Sequence, residues 1–393
     1  MNRARRTFSF RLITSSYLPI VGGSEIEAQR VCAELIRRGD QAEVFCPGGA
    51  PMPAEAHRLD EMGVPVRQFG TSANIRLRGY VFAAAVAWEL WRTRAEYDLV
   101  YFLMTGAHVV SGSIAARLAG KPILMKFSGS NTIRPLQRSF IGRLQLRLLS
   151  RWAARIMVLN DAMRQEGCEC GLDSRKFLWM PNPVNTTEFA PLPADGRSAL
   201  RNLLGLAPSS EVILFVGRLA PEKELGSLIV AFSLVARNRP QAELVLVGDG
   251  PCRVELENSV QQMSLQNRVR FLGAQRGAEV RSWLQAADIF ALVSSVEGLP
   301  VSLIEAMSTG LPSVVSDIPA STQLVQDGVT GLVVRLRDPQ SVSHAIERLL
   351  FRPEDRARIG SAARERVMKE YSTDTVAGSY EALFTEVCGA AAQ

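Results

Sequence analysis

Four residues in the second half of the chain are of types that could bind a phosphorylated, hydroxyl-rich ligand. Arg218 and Lys223 follow a short apolar run, and two carboxylates, Glu297 and Glu305, flank a Gly-Leu-Pro break. Guanidinium and ammonium groups form charge-assisted hydrogen bonds with phosphate oxygens, so two cations at a strand end could bind a diphosphate. An ordinary solvated loop is the alternative for each motif alone. Together the four residues favour a diphosphate placed between two hydroxyl-rich rings.

The segment around the carboxylates predicts a strand, a loop and a helix. The run "DIFALVSS" is typical of a buried strand, Glu297 follows in the loop, and "VSLIEAMSTG" is the predicted helix. The free N–H groups at such a helix start favour an anion. Glu305, one turn later, is expected to reach a hydroxyl group, so a sugar nucleotide fits between the two carboxylates. The donor-binding residues predicted between them are Gly298, Leu299, Pro300 and Val301.

A Gly-Gly pair, Gly22 and Gly23, lies between the first predicted strand and its helix. Glycine lets backbone N–H groups approach a phosphate at a helix start. A tight turn without any ligand explains the pair equally well. The pair is therefore a candidate contact to the donor only in combination with the other motifs.

These motifs fall at strand ends in two predicted α/β domains. Short β-rich runs alternate with helical segments, which indicates βαβ units and doubly wound, Rossmann-like parallel sheets. A chain of 393 residues is too long for one ordinary core, and the Pro-rich stretch "MPNPVNTTEFAPLPADG" is the best linker candidate. Ligands of such sheets bind beyond the carboxyl ends of the strands, so the two domains are expected to face each other across a cleft.

Charge is distributed unevenly along the chain. Residues 1–195 contain 25 Lys and Arg against 17 Asp and Glu, whereas residues 99–160 contain nine basic residues and no acid. This asymmetry suggests an anionic partner for the first domain. No apolar stretch reaches the roughly 20 residues of a spanning helix, so a cytoplasmic protein is expected. The scattered cysteines suggest reduced thiols, and neither a metal nor a cofactor is implied.

The segment "NTIRPLQRSFIGRLQLRLLSRWAAR" predicts a basic amphipathic helix. Its repeating cations are Arg143, Arg147, Arg151 and Arg155. A cationic stripe beside apolar residues can lie on an anionic membrane surface. The alternative, of equal weight, is a helix that packs on the sheet with solvated arginines. Nucleic acid is disfavoured because the segment has few aromatic residues on which bases could stack.

Many motifs in this order resemble the GT-B glycosyltransferases of the large retaining class called family 4, or group 1. The resemblance covers nearly the whole chain, through "GGSEIEAQRVCAELIRRGDQAEVF", "MPNPVNTTEFAP", "VGRLAPEK", "LVGDGP", "EGLPVSLIEAMSTGLPSVVSD" and "DGVTGLVV". It implies an N-terminal acceptor-binding domain over residues 1–190 and a C-terminal donor-binding domain over 191–375. A final helix over 376–393 would cross back to the N-terminal domain.

The resemblance also implies roles for the residues named above. Arg218 and Lys223 would hold the donor diphosphate and stabilise its growing charge. Glu297, the third predicted catalytic residue, would hold hydroxyls of the transferred sugar, and Glu305 would bind the ribose. Family members work without a metal, and their nucleotide sugar is a substrate.

Two departures from the family pattern concern the acceptor and the donor. Ser128 stands where many members have a histidine, and a hydroxyl cannot replace an imidazole as a titrating group. His108 is the other histidine expected to face the cleft, although a structural role for it is favoured, and Asn131 completes the candidate acceptor side. The second departure is "DIPASTQLVQDG", where the family usually has two glycines and then a glutamate.

The sequence thus predicts a retaining, metal-independent hexosyltransferase. Its donor would be a UDP- or GDP-sugar, and its acceptor a lipid-linked or cell-envelope glycan intermediate. The protein would be cytoplasmic or peripheral on the inner face of the membrane, and it would not bind nucleic acid. A GT-B epimerase or phosphorylase would not be expected to combine these motifs. The alternative from another class is a non-catalytic nucleotide-sugar-binding protein of the same fold.

Overall fold

The computed structural model describes residues 6–17, 23–48, 55–70 and 77–390. The chain divides into two compact units, of which the first comprises Met1–Pro183 with Thr373–Gln393 and the second Val184–Ser372. Each unit is built on its own largely parallel sheet. The prediction of two doubly wound α/β domains is therefore confirmed.

The sheet of the first unit has eight strands within the described residues. In chain order they are β1 (Ser9–Thr14), β2 (Gln41–Pro47), β3 (Glu55–Leu59), β4 (Pro65–Phe69), β5 (Leu99–Leu103), β6 (Ile123–Lys126), β7 (Ala153–Val158) and β8 (Phe177–Trp179). They lie in the order β3-β4-β2-β1-β5-β6-β7-β8, and only the β3–β4 pair is antiparallel. The central strand β5 reads "LVYFL" with every residue buried, as expected of a parallel strand covered on both faces.

Helices cover this sheet. They include α1 (Gly23–Arg37), α2 (Arg78–Arg92), α3 (Ala107–Leu118), α4 (Phe140–Trp152) and α5 (Asp161–Glu169). Helix α2 packs on α3, and α3 packs on α4, so these three form one layer. The hydroxyl of Ser111 in α3 donates to the carbonyl of Ala83 in α2 at 2.6 Å, which fastens the first two helices together.

The second unit has a six-stranded parallel sheet. Its elements are α6 (Ala194–Leu203), β9 (Glu211–Val216), α7 (Leu225–Asn238), β10 (Ala242–Val247), α8 (Arg253–Gln262), β11 (Val269–Gly273), α9 (Ala278–Ala286), β12 (Ile289–Leu292), α10 (Val301–Ser308), β13 (Ser313–Ser316), α11 (Pro319–Thr322), β14 (Leu332–Val334), α12 (Pro339–Phe351) and α13 (Pro353–Glu370). The strand order is β11-β10-β9-β12-β13-β14. Strands β9 and β12 are therefore neighbours, and the loops that leave their carboxyl ends meet at one edge of the sheet.

The final described helix, α14 (Thr373–Ala390), belongs to the first unit. Its apolar side chains join the core beside β1, and Phe384 contacts the rings of Phe8 and Phe10. Tyr380 forms a hydrogen bond of 3.0 Å with Tyr101 of β5. The chain leaves this unit after Pro183 and returns at Thr373, whereas the sequence suggested boundaries at residues 190 and 375.

A buried ion pair lies in the same core. Lys126, at the end of β6, pairs with Glu27 of α1, and both side chains have no exposed surface. The ammonium group also lies 3.2 Å from the amide oxygen of Asn182 and 3.5 Å from the hydroxyl of Tyr380. The pair thus links α1 and β6 to the segment of Asn182, where the chain leaves the unit, and to α14, where the chain returns.

Candidate functional site

The loop that carries Arg218 and Lys223 is fixed by close backbone packing. It follows β9 and lies against the loop that follows β10, where the N–H of Leu219 donates to the carbonyl of Asp249 at 2.9 Å. A Cβ atom at Gly248 or Gly250 would collide with the carbonyl oxygen of Gly217 or Leu219. Glycine is therefore required in "VGDGP" for the two loops to approach each other.

Lys223 and Glu297 form an ion pair in which Nζ lies 2.5 Å from Oε1. Both side chains are largely buried, and the pair joins the loop after β9 to the loop after β12. A second connection runs beside it, since the N–H of Ser295 donates to the carbonyl of Glu222 at 2.8 Å. The structure therefore brings together one predicted phosphate-binding cation and one predicted sugar-binding carboxylate.

Arg218 forms a separate ion pair. Its guanidinium lies 2.7 Å from Glu222, and its side chain is 67% exposed. Partial burial of Glu222 opposes ionisation, but hydrogen bonds from the backbone and from Arg218 lower the pKa of this carboxyl group. Glu222 was not identified from the sequence, although its place between the two cations was a signal. An incoming diphosphate would compete with Glu222 for Arg218.

The start of α10 offers backbone donors. Pro300 is the N-cap residue, one position earlier than the predicted first turn, and it has no side-chain group that could cap the helix. Leu299 is buried beside it, and Gly298 lies in the preceding loop. The N–H groups that begin at Val301 point out of the helix start, where an anion is favoured. This geometry agrees with the predicted anion position.

Glu305 lies in the middle of α10 and is 7% exposed. Its burial distinguishes it from a solvated helix acid, because a carboxylate is seldom buried without hydrogen-bonding partners. Glu305 and the start of α10 share one short helix. The four residues from which the sequence interpretation began therefore lie on three connected segments at one edge of the second sheet.

Two buried serine hydroxyls near this edge were not singled out as catalytic or binding residues. Ser294 follows β12, and Ser321 lies in α11. Within the described residues, the hydroxyls of both have no hydrogen-bond partner, and both side chains are fully buried. Ser316 donates to the carbonyl of Ser294, which holds β13 against the end of β12.

The predicted acceptor-side residues of the first unit are not joined to one another by any recorded hydrogen bond in the described part of the chain. His108 is 3% exposed and packs against Phe82 and Phe102, with ring centroids 5.4 and 6.4 Å away. Burial lowers the pKa of His108 to about 4, so the imidazole is neutral at pH 7. His108 belongs to the packing of α2, α3 and β5, in agreement with the structural role that the sequence favoured over a position facing the cleft.

Ser128 and Asn131 lie in the connection between β6 and α4. Ser128 is half-buried and Asn131 is exposed. Asn131 has a φ of 60°, a left-handed conformation that asparagine tolerates better than most residues. Gly23 is the first residue of α1, whereas Gly22 lies outside the described residues.

The predicted basic helix differs from α4 at its end. Arg143, Arg147 and Arg151 are exposed on α4 and line a shallow groove of about 600 Å³. Arg155 is not part of this stripe, because α4 ends at Trp152 and Arg155 lies in β7, where it pairs with Glu386 of α14. The predicted four-arginine stripe is therefore a three-arginine stripe.

In the residues that the structure describes, no three His, Cys, Asp or Glu side chains are grouped as a metal site. None of the helices in the same ranges is both long and apolar enough to cross a membrane.

Comparison with known proteins supports the family predicted from the motifs. The model for glycosyl transferases group 1 matches residues 197–366, and the glycosyl transferase 4-like domain matches residues 22–183. The UDP-Gal:alpha-D-GlcNAc-diphosphoundecaprenol alpha-1,3-galactosyltransferase of Escherichia coli is 31% identical over 65% of this chain and 67% of its own length. A GDP-mannose-dependent alpha-(1-6)-phosphatidylinositol monomannoside mannosyltransferase of Mycolicibacterium smegmatis is 25% identical over 93% of this chain and 95% of its own.

A solved structure gives the same answer for the fold. Anabaena HepE, crystallised in complex with UDP, superposes with a TM-score of 0.81 over 96% of this chain and all of its own, at 24% identity. Across the curated relatives that it matches, the chain spans between 52 and 95% of their length. The family predicted from the motifs is confirmed: this chain has the GT-B fold and belongs to the group 1 family of glycosyltransferases.

Proposed function

We propose that this protein is a retaining, metal-independent hexosyltransferase that uses a UDP- or GDP-sugar. The observation that carries the proposal is the Lys223–Glu297 ion pair beside the uncapped start of α10. It places a cation, a carboxylate and backbone N–H groups on connected segments. Those are the groups needed for a diphosphate with a sugar attached.

Each residue has a defined part in the proposed reaction. Arg218, Lys223 and the start of α10 bind the diphosphate and stabilise the negative charge that grows when the C1–oxygen bond of the donor breaks. Glu297 accepts hydrogen bonds from sugar hydroxyls, and Glu305 accepts them from the ribose. The acceptor oxygen forms the new bond to C1, and its proton passes to the departing phosphate oxygen. The cations provide the charge stabilisation that a metal would otherwise supply.

Retention is supported by the products named for the relatives. The Escherichia coli relative makes an alpha-1,3 linkage from UDP-Gal, and the mycolicibacterial relative makes an alpha-(1-6) linkage from GDP-mannose. An α product from an α-linked donor keeps the configuration at C1. We expect the same outcome here, by attack on the face that the diphosphate leaves.

The proposed acceptor and location are supported by the same relatives and by α4. One relative acts on a diphosphoundecaprenol-linked sugar and another on a phosphatidylinositol mannoside. The proposed acceptor is accordingly lipid-linked, or a glycan of the cell envelope. Arg143, Arg147 and Arg151 would attract α4 to the anionic inner face of the membrane, roughly 1 kcal/mol for each arginine near the surface.

The test begins with donor hydrolysis in the absence of acceptor. We expect slow release of nucleoside diphosphate from a UDP- or GDP-sugar in a panel that also contains ADP-sugars, unchanged by EDTA, and a thermal shift with the same donor. Arg218→Ala should reduce the rate on the order of a hundredfold. The matched control is Arg358→Ala, which removes the partner of Asp355 in another exposed ion pair.

The outcomes that contradict the proposal are distinct. Absence of turnover with any donor, despite a thermal shift, would favour a binding protein. Loss of activity with EDTA that added magnesium restores would contradict metal independence. An inverted product, identified by the C1 coupling constant in NMR, would contradict retention.

A further inference from the structure

Helix α2 exposes a row of large apolar side chains. Tyr80, Trp88 and Trp91 recur along one side of the helix, and Trp88 is 66% exposed. The opposite side, which includes Phe82 and Val86, is buried against the rest of the unit. The exposed row is therefore not needed to attach α2 to the sheet.

The neighbouring helices continue this surface. Ile114 and Leu118 are exposed on α3, and Phe140, the first residue of α4, is 74% exposed. Helix α2 packs on α3 and α3 on α4, so these exposed side chains are carried by adjacent helices. We call this surface the aromatic face: Tyr80, Trp88, Trp91, Ile114, Leu118 and Phe140. Exposed apolar surface of this kind usually marks a site of interaction.

The charges on the same three helices indicate which kind of partner the aromatic face would bind. Their only carboxylate is Glu89, which is 1% exposed and pairs with Arg67 and Arg92. The exposed cations on these helices, or within two residues after them, are Arg92, Arg94, Arg117, Arg143, Arg147 and Arg151. A second copy of the chain would set these arginines against one another. An anionic partner is therefore favoured over self-association.

The residue types of the aromatic face favour a lipid surface as the anionic partner. Tryptophan and tyrosine have apolar rings with one polar atom, which suits the boundary between headgroups and acyl chains. Arginine at the edge of such a surface can bind phosphate while its stem covers apolar atoms. The guanidinium of Arg94 lies over the ring of Trp91, 4.5 Å from its centroid, so the two groups already form one amphipathic unit.

We infer that the aromatic face inserts into the interface of an anionic bilayer, with Trp88 and Trp91 as its principal anchors. This goes beyond the attraction proposed for α4, which is electrostatic and leaves the protein on the surface. Insertion makes the attachment depend on apolar contact as well as on charge, so high salt weakens but does not abolish it. None of the anchors belongs to the predicted donor or acceptor residues, and the attachment does not depend on the sugar transferred.

The experiment uses the full chain and vesicles of phosphatidylglycerol and phosphatidylcholine. Flotation measures partitioning, and brominated phosphatidylcholine in the vesicles quenches tryptophan that enters the acyl boundary. Trp88→Ser with Trp91→Ser should weaken partitioning roughly tenfold or more. Trp88→Phe with Trp91→Phe should keep most of the partitioning but lose most of the quenching, because Trp152, the one other tryptophan in the sequence of these three helices, is half-buried at the end of α4. Trp179→Phe is the matched control, since Trp179 and Trp91 are both 42% exposed.

Three results would overturn the inference. The serine variant could partition like the wild type, or the wild type could bind vesicles without quenching, which would leave only electrostatic attachment. The wild type could instead self-associate without vesicles in a manner that the serine variant abolishes, which would assign the face to a second copy. Donor hydrolysis should remain unchanged in both double variants, so failure of this inference and failure of the proposed activity are separable.

Discussion

Lys223 and Glu297, which are 74 positions apart in the chain, are joined by an ion pair of 2.5 Å. The pair neutralises both groups before any ligand binds. A donor diphosphate that approaches Lys223 would therefore share the ammonium group with the carboxylate, and sugar hydroxyls could then donate hydrogen bonds to Glu297. With the proposed roles of the two residues, the pair would couple recognition of the phosphate to recognition of the sugar.

This coupling predicts a non-additive result for the two residues. Lys223→Met removes the cation that pairs with Glu297 and leaves this largely buried carboxylate beside the diphosphate, so both donor affinity and turnover should fall, turnover on the order of a hundredfold or more. Adding Glu297→Gln should recover much of the donor affinity, because the repulsion is gone, but not the turnover. Calorimetry with nucleoside diphosphate and steady-state kinetics measure the two effects. Additive losses in affinity would show that the two residues contribute to donor binding independently, without the coupling inferred from the ion pair.

Glu297 and Glu305 should differ in the kinetic constant that they affect. Glu305→Gln should mainly weaken donor binding, since its predicted contact is to the ribose, which does not react. Glu297→Ala should mainly lower turnover, because its predicted contact is to the reacting sugar. Rates and donor affinities measured for both variants give the comparison. Equal effects on both constants would remove the distinction between the two carboxylates.

The buried pair of Lys126 and Glu27 gives a prediction about stability. Replacing one partner alone, as in Glu27→Leu, leaves an uncompensated buried charge and should cost about 3 to 5 kcal/mol. The double variant Glu27→Leu with Lys126→Met should recover most of that loss. Thermal denaturation, combined with hydrogen exchange of α1 and α14, measures this. Arg37→Met, which breaks an exposed ion pair with Glu34, is the control and should change little.

If the double variant remained as unstable as the single variant, the pair would be supplying net stability through its hydrogen bonds to Asn182 and Tyr380. That result would contradict the expectation that burial of the two charges nearly offsets their attraction.

The lowered pKa of His108 leads to a prediction of how the free energy of unfolding changes with pH. Burial lowers its pKa from 6.5 to about 4, so between these values the unfolded chain binds a proton that the folded chain does not. Stability should therefore be unaffected by His108 above pH 6.5 and should decline as the pH falls from 6.5 to about 4. The loss approaches about 3 kcal/mol. His108→Leu should flatten this part of the profile, measured by denaturant unfolding across pH.

His57 is the matched control, because its side chain is 57% exposed. His57→Gln should leave the slope between pH 4 and 6.5 as it is in the wild type. An unchanged slope in the His108→Leu variant would mean that other groups produce the acid sensitivity.

The elements that the sequence predicted well are those with strong local patterns. The segment "LGSLIVAFSLVARN" is helix α7 and "VRFLG" is strand β11, because apolar spacing and turn residues mark both ends. Helix α10 follows Pro300 for the same reason. The motifs at strand ends, and with them the neighbourhood of the candidate site, follow from these elements.

What the sequence could not predict depends on contacts between distant segments. Arg155 continued a four-residue repeat of arginines, which predicted a longer helix. Strand β7 begins at Ala153 instead, because the residues from Ala153 onward pair with β6. His108 stood in a Gly-rich context that suggested a loop, yet the small residues of α3 let it pack closely among rings. The pairing of Lys223 with Glu297, and of Arg218 with Glu222, required the structure.

The position of α14 has a consequence for biosynthesis. Translation releases β1 to β8 from the ribosome long before residues 373–390 exist, yet Tyr380, Phe384 and Val387 fill the core against β1 and β5. Until α14 is synthesised, part of the interior of the first unit is therefore exposed to water. The second unit is synthesised after β1 to β8, yet its sequence is complete before α14 is made. The order of folding is expected to be the reverse of the order of synthesis. During that interval, chaperone protection matters most for the segment that emerges first.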